Sequence, residues 1–458
     1  MRTFLFILLL LPAHILPASA TETGWEAGVA KLKITPEKPV WMGGFGFRNQ
    51  PGSGVELDLW AKALSLKDKS GKQVIILTLD LVKIPKNVSD TIRSLAFSRF
   101  GLAKENILLN SSHTHSGPLL EDREAIPYSD AVNSPEQTAR IKSYTNEFVA
   151  GILDIMKTAL EKTEPVAVYS GSGVARFQVN RRNNSVENLD RQTQYNGPID
   201  HSVPVLKVVG ANGEMKAIVF GYACHPTILR GYNWSADYPG YAQQRLEERY
   251  PSALALFCQG AGGDISALPP KRSKGFAEQY GGELALAVQQ VIEGEMSPLT
   301  PEITTAYSET PLSYQSIPTA DELKKISETG EDFEKRWAQQ LLSVLKSKRS
   351  LQESYPYPIQ WWKLGSQDLI ALGGELTIEY AIKLKQIFGE NLFVLGYSND
   401  VMGYIPSLTV LSEGGYEAIS SQFYRTHPSA WATSIETTIL SECIRLNKEV
   451  RKKADRKR

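Results

Sequence analysis

From Gly28 onward, short apolar runs of β character alternate with stretches whose apolar residues recur at helical spacing, and no other feature constrains the fold as strongly. Residues 73–81 (QVIILTLDL) form one such run; an amphipathic stretch follows at 88–100 and a second apolar run at 107–110. Further β runs fall at 166–169, 203–209, 216–222 and 253–258, with helical patterns at 136–160, 240–250 and 276–293. This alternation predicts an α/β fold of mixed β-sheets flanked by helices, without an internal repeat. Residues 296–360 are Pro-rich and polar at both ends, around a charged helix that places Phe333, Trp337, Leu341 and Val344 on one face. The stripe reads as core packing, and the segment as an insertion or a lid. A strand at 369–372, a helix through Leu384, a strand at 392–397 and a final helix at 432–450 complete the pattern.

The N-terminus sets an expectation about compartment. Arg2 precedes an apolar run at 4–11, and Ala18-Ser19-Ala20 offers the small residues a signal peptidase accepts. The run is shorter than the roughly 20 residues that span a bilayer, and Pro12 and Pro17 interrupt its C-terminal flank. Residues 1–20 therefore read as a cleaved signal peptide, and 21–458 as the mature domain, secreted or periplasmic, with no transmembrane segment. Lys plus Arg and Asp plus Glu both total 50, and the basic cluster at 451–458 reads as a frayed helix end, so nothing points to nucleic acid. The three cysteines, Cys224, Cys258 and Cys443, lack CxxC spacing and cannot build a disulfide framework.

Histidine is scarce, so its placement is informative. Beyond His14 in the leader the chain has only His113, His115, His201, His225 and His427. His113-Thr114-His115 follows the apolar run at 107–110; a continuing β conformation would put both imidazoles on one side, converging on a metal or a substrate, although the spacing alone equally fits polar loop residues. Cys224-His225-Pro226 ends a second apolar strand, where functional groups concentrate in α/β proteins. The run at 253–258 leads into Gly260-Ala261-Gly262-Gly263-Asp264-Ile265-Ser266, which allows close backbone approach but lacks the Gly-Lys-Ser/Thr ending of a phosphate-binding loop.

Taken together, these strand ends resemble the neutral/alkaline ceramidase family. His113 to Pro118 reads HTHSGP, His225-Pro226 matches the family's HP turn, and Gly263 to Ser266 its GDVS. Gly374-Glu375, the N-x4-Y segment from Asn399 to Tyr404, Tyr416-Glu417-Ala418 and Asn180-Arg181 match further motifs, in the same order, over nearly the whole mature chain. The resemblance implies one zinc ion held by His113, His225, Glu375 and Tyr404, three of them ordinary ligand types and the tyrosine unusual. It also implies that His115 stays near the metal as a proton shuttle, and that Arg181 and Tyr416 hold the substrate amide and its oxyanion. An amide is a poor electrophile and water a poor nucleophile; zinc lowers the pKa of bound water from 15.7 to about 7 and polarises the carbonyl. Ser266 is either an acyl-accepting nucleophile or a hydrogen-bonding residue beside a metal-activated water, and the second reading is preferred because no Ser-His-Asp arrangement is readable around it.

Departures from the family bear on substrate. GDVSPN becomes Gly263 to Leu268 with Ala267-Leu268, and Asn-Arg-Ser-Pro becomes Asn180-Arg181-Arg182-Asn183. Arg182 would favour an acidic or strongly polar substrate if it faced the pocket, and otherwise reads as a solvated surface residue. His427 lies in a YGPH-like stretch, here Tyr424-Arg425-Thr426-His427, near the site or in a structural role; His201 has no assigned role. The chain ends after the catalytic-domain helix, so the immunoglobulin-like C-terminal domain of characterised ceramidases is not expected. The leading expectation is hydrolysis of an N-acyl amide bond in ceramide or a related lipid, releasing fatty acid and amine, from a small amphiphilic substrate met at a membrane or micelle surface. The alternative is a zinc-dependent deacylase or deacetylase acting on a sugar or cell-wall fragment; a non-catalytic binding protein is disfavoured because every metal and proton-transfer position is filled.

Overall fold

The structure is a computed structural model that describes residues 24–126, 131–184, 194–268 and 272–456; the leader at 1–20 lies outside the described residues. The strand Gln73–Leu79 shows how the chain builds its layers. Ile75, Leu77 and Leu79 point into one apolar cluster and Val74 and Ile76 into another, so period-2 alternation places an apolar residue on each face in turn. Such a strand belongs in the middle of a layered core. The large sheet runs in the order Leu254–Gln259, Met215–Tyr222, Ser202–Gly210, Glu164–Val174, Trp25–Lys33, Trp60–Lys67, Gln73–Leu79 and Ile107–Ser111, with the short strand Ser297–Pro298 beside Glu164–Val174. The outermost pair at each end is parallel and the central pairings are antiparallel. On one face lie the helices Lys86–Phe100 and Pro135–Glu161, and Asp237–Arg249 and Lys274–Glu293.

The other face meets a second sheet. Ile303–Ser313, Ser354–Leu364 and Gln367–Leu372 are antiparallel neighbours, and Phe393–Leu395 adds in parallel. Leu64, Ile76, Val166 and Leu206 of the large sheet pack against Ile303, Trp362, Leu369 and Phe393 of the smaller one, and the C-terminal helix Ile435–Asp455 covers the smaller sheet's outer face. The order is helices, sheet, sheet, helix, an α/β fold of mixed sheets. The segment 296–360 divides in this arrangement. Its ends supply two of the four strands of the smaller sheet, while Ala320–Thr329 and Asp332–Lys346 form a helical hairpin whose Trp337 and Leu341 pack with Ile126.

One feature of the large sheet positions the site. Its two edge strands, Ile107–Ser111 and Leu254–Gln259, approach each other as the sheet twists and curls. Asn110 joins them: its Oδ1 accepts from the Gln259 N–H (2.8 Å), and its Nδ2 donates to the carbonyls of Gln259 (3.3 Å) and Gly396 (2.8 Å). The turns after these strands and after Met215–Tyr222, which carry the histidines and the glycine-rich run, thus face one another. No helix among the described residues is long and apolar enough to cross a membrane.

Candidate metal centre

His113 leaves its strand at a φ of 65°, in the left-handed region, so the chain turns there instead of continuing in β conformation. The turn still brings the pair together: His113 Nε2 and His115 Nε2 are 3.2 Å apart. The His113 N–H donates to the Leu81 carbonyl (2.9 Å), and its ring Nδ1 lies 2.6 Å from the Val82 carbonyl oxygen. A carbonyl only accepts, so Nδ1 carries the proton and Nε2 is left to face inward. His225 repeats the arrangement, with Nδ1 2.5 Å from the Gly262 carbonyl oxygen. Burial pushes the His225 imidazole down to about 4, so it is neutral near pH 7 and its Nε2 presents a lone pair.

Both inward nitrogens meet Glu375, whose Oε2 is 3.1 Å from His113 Nε2 and 3.4 Å from His225 Nε2. Glu375 is directly opposite Tyr404 in the short parallel pairing of Glu375–Leu376 with Tyr404–Ile405, and the Tyr404 hydroxyl lies 3.5 Å from His225 Nε2. Gly374 makes that pairing possible: its φ is +70°, and a Cβ would come within 2.5 Å of Ile405 Cγ1. Four side chains of three ligand types, drawn from segments far apart in the chain, therefore converge.

The donor set fits a cation. Ligands at about 2.0 to 2.1 Å from a tetrahedral ion stand about 3.3 Å from one another, and the separations of 3.1, 3.4 and 3.5 Å bracket that value. Glu375 Oε2 is buried with no hydrogen-bond partner, as an oxygen facing lone pairs would be. Carbonyl-anchored imidazoles of this kind are the usual surroundings of metal-binding histidines. His113, His115 and His225 by themselves form a buried group whose ligand atoms all lie within 4.8 Å of one another and which could hold a metal ion.

His115 differs from the other two histidines. Its Nδ1 is buried without a hydrogen-bond partner, and its ring is held by packing: Phe45 lies edge-on at 4.7 Å, and a Cβ on Gly44 would come within 2.4 Å of the ring. Gly44, at a φ of +96°, can hold neither a side chain nor ordinary L geometry. Burial, followed by the neighbouring His113, holds the His115 imidazole well below its usual range.

The other residues expected at the site take varied positions. Arg181 donates to the Gly263 carbonyl (2.6 Å), to the Tyr404 hydroxyl (3.1 Å) and from Nε to Glu417 Oε1 (3.0 Å). Tyr416 lines the cavity beside the cluster, its ring centre 5.5 Å from that of Tyr404. Ser266 sits on the strand Ile265–Ala267 opposite Val179, partly exposed, and is not among the cavity's lining residues. Arg182 is partly buried and does not line the cavity; Glu417 (2.6 Å) and Glu413 (3.0 Å) hold it in ion pairs. His427 is buried among Tyr314, Tyr355 and Trp431, with Nδ1 2.7 Å from Gln422 Oε1.

Sequence reasoning passed over the residues that join the motifs. Asp264 accepts from the Ile378 N–H (2.7 Å) and from Asn180 Nδ2 (2.9 Å), tying the glycine-rich turn to two other segments, and burial pushes its carboxyl up to about 6. Gly44 was visible as part of the Gly-aromatic run Gly43 to Phe47, but nothing in that run says which ring it would meet. The cavity over the cluster has a volume of about 380 Å³ and runs from His113, Glu375 and Tyr404 past Leu119, Leu120 and Ile141.

Comparison with known proteins agrees with this architecture. The family model described as neutral/alkaline non-lysosomal ceramidase, N-terminal, matches residues 25–337. The neutral ceramidase of Pseudomonas aeruginosa is 24% identical over 494 residues, covering 92% of this chain and 72% of that protein. Neutral ceramidase B of Dictyostelium discoideum is 23% identical over 54% of this chain and 36% of its own length. Among solved structures, neutral ceramidase from Pseudomonas aeruginosa superposes with a TM-score of 0.67 at 20% identity, covering 89% of this chain and 72% of that one. A ceramidase complexed with C2 gives the same TM-score at 19% identity. With the family model matching well over half of its length, the chain belongs to the neutral/alkaline non-lysosomal ceramidase family.

Proposed function

We propose that this protein is a zinc-dependent hydrolase of N-acyl amides, acting on ceramide or a related N-acyl lipid. The observation that carries the reading is the convergence of His113 Nε2, His225 Nε2, Glu375 Oε2 and the Tyr404 hydroxyl at the spacing of a tetrahedral ligand set. A bound zinc ion would supply Lewis acidity, making water acidic near neutral pH and polarising the amide carbonyl.

The protein's own groups account for the rest. Val82 and Gly262 fix the imidazole tautomers through their carbonyls. Arg181 holds the Tyr404 hydroxyl and is itself fixed by Glu417, which leaves Tyr416, at the cavity wall, as the freer donor for the substrate oxygen. His115, whose Nε2 reaches the cluster 3.2 Å from His113 Nε2, is kept as the proton-transfer residue between the attacking water and the leaving amine. Ser266, away from the cavity lining, is kept as a hydrogen-bonding residue and not as the nucleophile. The apolar walls at Leu119, Leu120 and Ile141 suit an acyl chain better than a sugar. Exposed Phe47, stacked on Phe45 beside His115, together with exposed Tyr416, supports docking of an amphiphile at the mouth.

The test is release of free fatty acid from a panel of ceramides and N-acyl sugars by purified protein, with and without chelator, alongside elemental analysis. About one equivalent of zinc and chelator-sensitive release from the lipids is expected. Release only from the sugars, or full activity without metal, would refute the reading.

A further inference from the structure

The cavity that reaches the histidine cluster has a second polar region that the proposed chemistry does not use. Lys83, next in sequence to the Val82 that anchors His113, lines the cavity together with Asp122, Ser421 and Arg425. One acid serves two cations there: Asp122 Oδ2 accepts from Lys83 Nζ (2.6 Å) and from Arg425 Nη1 (2.5 Å). Its other oxygen accepts from the Glu124 N–H (3.0 Å). Glu124, partly exposed, makes a looser ion pair 3.7 Å from Arg425 Nη2, too far for a hydrogen bond, and the buried carboxylates of Glu375 and Asp400 act on Lys83 and Arg425 without a hydrogen bond to either.

Hydrogen-bonding capacity is left over on the same wall. Arg425 Nε and Nη2 and Ser421 Oγ are buried without a hydrogen-bond partner, Nη2 keeping only its ion pair to Glu124 Oε2 at 3.7 Å. Lys83 carries three N–H donors, of which Asp122 takes one. Unused N–H donors of two cations in a mostly apolar cavity are an anion-recognition arrangement, because a guanidinium and an ammonium bind carboxylate or sulfonate strongly where water is scarce.

We propose that Lys83 and Arg425 form a recognition point for an anionic group on the substrate, so that the preferred class is an N-acyl amide whose amine portion carries a carboxylate or sulfonate. The inference rests on the hydrolase reading and adds the substrate's charge to it. Arg182, the residue whose type first suggested an acidic substrate, has no part in it, since Glu413 and Glu417 occupy its guanidinium.

The experiment uses two matched pairs with the wild-type protein: N-dodecanoylglycine against its primary amide, and N-dodecanoyltaurine against N-dodecanoylethanolamine. The acidic member of at least one pair is expected to have a kcat/KM about tenfold or more above its neutral partner. Preference for the glycine pair alone selects carboxylate, and preference for the taurine pair selects a sulfonate or similar oxyanion, which is a poor metal ligand. Lys83→Met, which leaves Arg425 with the carboxylates of Asp122 and Glu124, should bring the acid-to-neutral ratio to within about threefold of unity. Glu124→Gln, which removes the competing carboxylate, should raise the ratio severalfold, about 3- to 10-fold. Ratios near one in the wild type, or ratios unmoved by both substitutions, would overturn the proposal. If none of the four compounds is cleaved, calorimetry separates the two readings. Tighter binding of the acidic members that Lys83→Met abolishes upholds the recognition point while the hydrolase reading fails; equal binding of acidic and neutral members refutes the recognition point.

Discussion

The two ends of the cavity are built differently. At the histidine end the ligand atoms are fixed from behind: Val82 and Gly262 hold two imidazoles, Gly374 sets the Glu375–Tyr404 pairing, and Arg181 holds the tyrosine. At the Arg425 end, Arg425 Nε and Nη2 and Ser421 Oγ are buried without a hydrogen-bond partner, and Nη2 has only a looser ion pair to Glu124. Chemistry needs atoms held in advance, because a displacement of about an ångström at a reacting centre can cost on the order of a hundredfold in rate. Recognition of a variable substrate group gains from donors that are not yet committed. The contrast separates the preorganised end proposed for catalysis from the less committed end proposed for substrate recognition.

The largest break in that contrast should come from His225→Ala. It removes a proposed ligand that Gly262 orients, so metal content should fall below about a tenth of an equivalent and hydrolysis to background, both measured on protein purified without chelator. Retained stoichiometric metal would mean that His113, His115 and Glu375 suffice. His115→Ala tests whether the unanchored histidine belongs to the ligand set. Metal and melting temperature should be kept while kcat falls about 10²- to 10⁴-fold and one limb of the pH–rate profile flattens; a metal-free variant would make His115 a ligand.

Gly44→Ala sharpens the same point from the packing side. A Cβ 2.4 Å from the His115 ring must displace it, so kcat should fall about 10- to 100-fold with metal content unchanged. An unchanged rate would show that the ring's position is not critical.

The smallest expected effect is a pH dependence of stability. Burial pushes the Asp400 carboxyl up to about 7, and those of Asp80, Asp237 and Asp264 to about 6. Each binds its proton more tightly folded than unfolded. Their contribution is therefore fully present below the unfolded value of about 3.9 and declines as pH rises through the folded values, levelling off above them. Asp400→Asn, which mimics the protonated form, should flatten the part of the decline nearest pH 7, by about 1–2 kcal/mol in denaturant titrations at pH 5 and 8. A wild-type stability that rises across the whole interval would show that other groups outweigh these four.

Much of the fold was legible because local pattern dictates it. The run at 73–81 appears as the strand Gln73–Leu79, that at 216–222 as Met215–Tyr222, and the stretch at 276–293 within Lys274–Glu293, since apolar periodicity and chain stiffness act over a few residues. The strands Trp25–Lys33, Trp60–Lys67, Ile303–Ser313 and Ser354–Leu364 were not legible in the same way. Trp60–Lys67 places Lys62 in the core, where Glu247 pairs with it at 2.6 Å; a buried lysine breaks the apolar pattern that a sequence reading depends on. In Ser354–Leu364, prolines and tyrosines hide the alternation, because hydroxyls such as that of Tyr355 find buried partners, here Asp400 at 2.6 Å.

The sequence by itself determined the family, through the order of its motifs, and with it which histidines, glutamate and tyrosine to watch, because motif residues are kept where chemistry leaves little choice of side chain. It could not determine that they meet. His113, His225, Glu375 and Tyr404 are joined by no periodicity; they converge because the large sheet curls until Asn110 bridges its edge strands and because one parallel pairing sets Glu375 beside Tyr404. Nor could it place charges that act through neighbours. Arg182 is neutralised, and Lys83 and Arg425 share Asp122 with Glu124 as a looser second partner of Arg425, because electrostatic balance depends on which carboxylates lie within a few ångströms, and only the folded chain decides that.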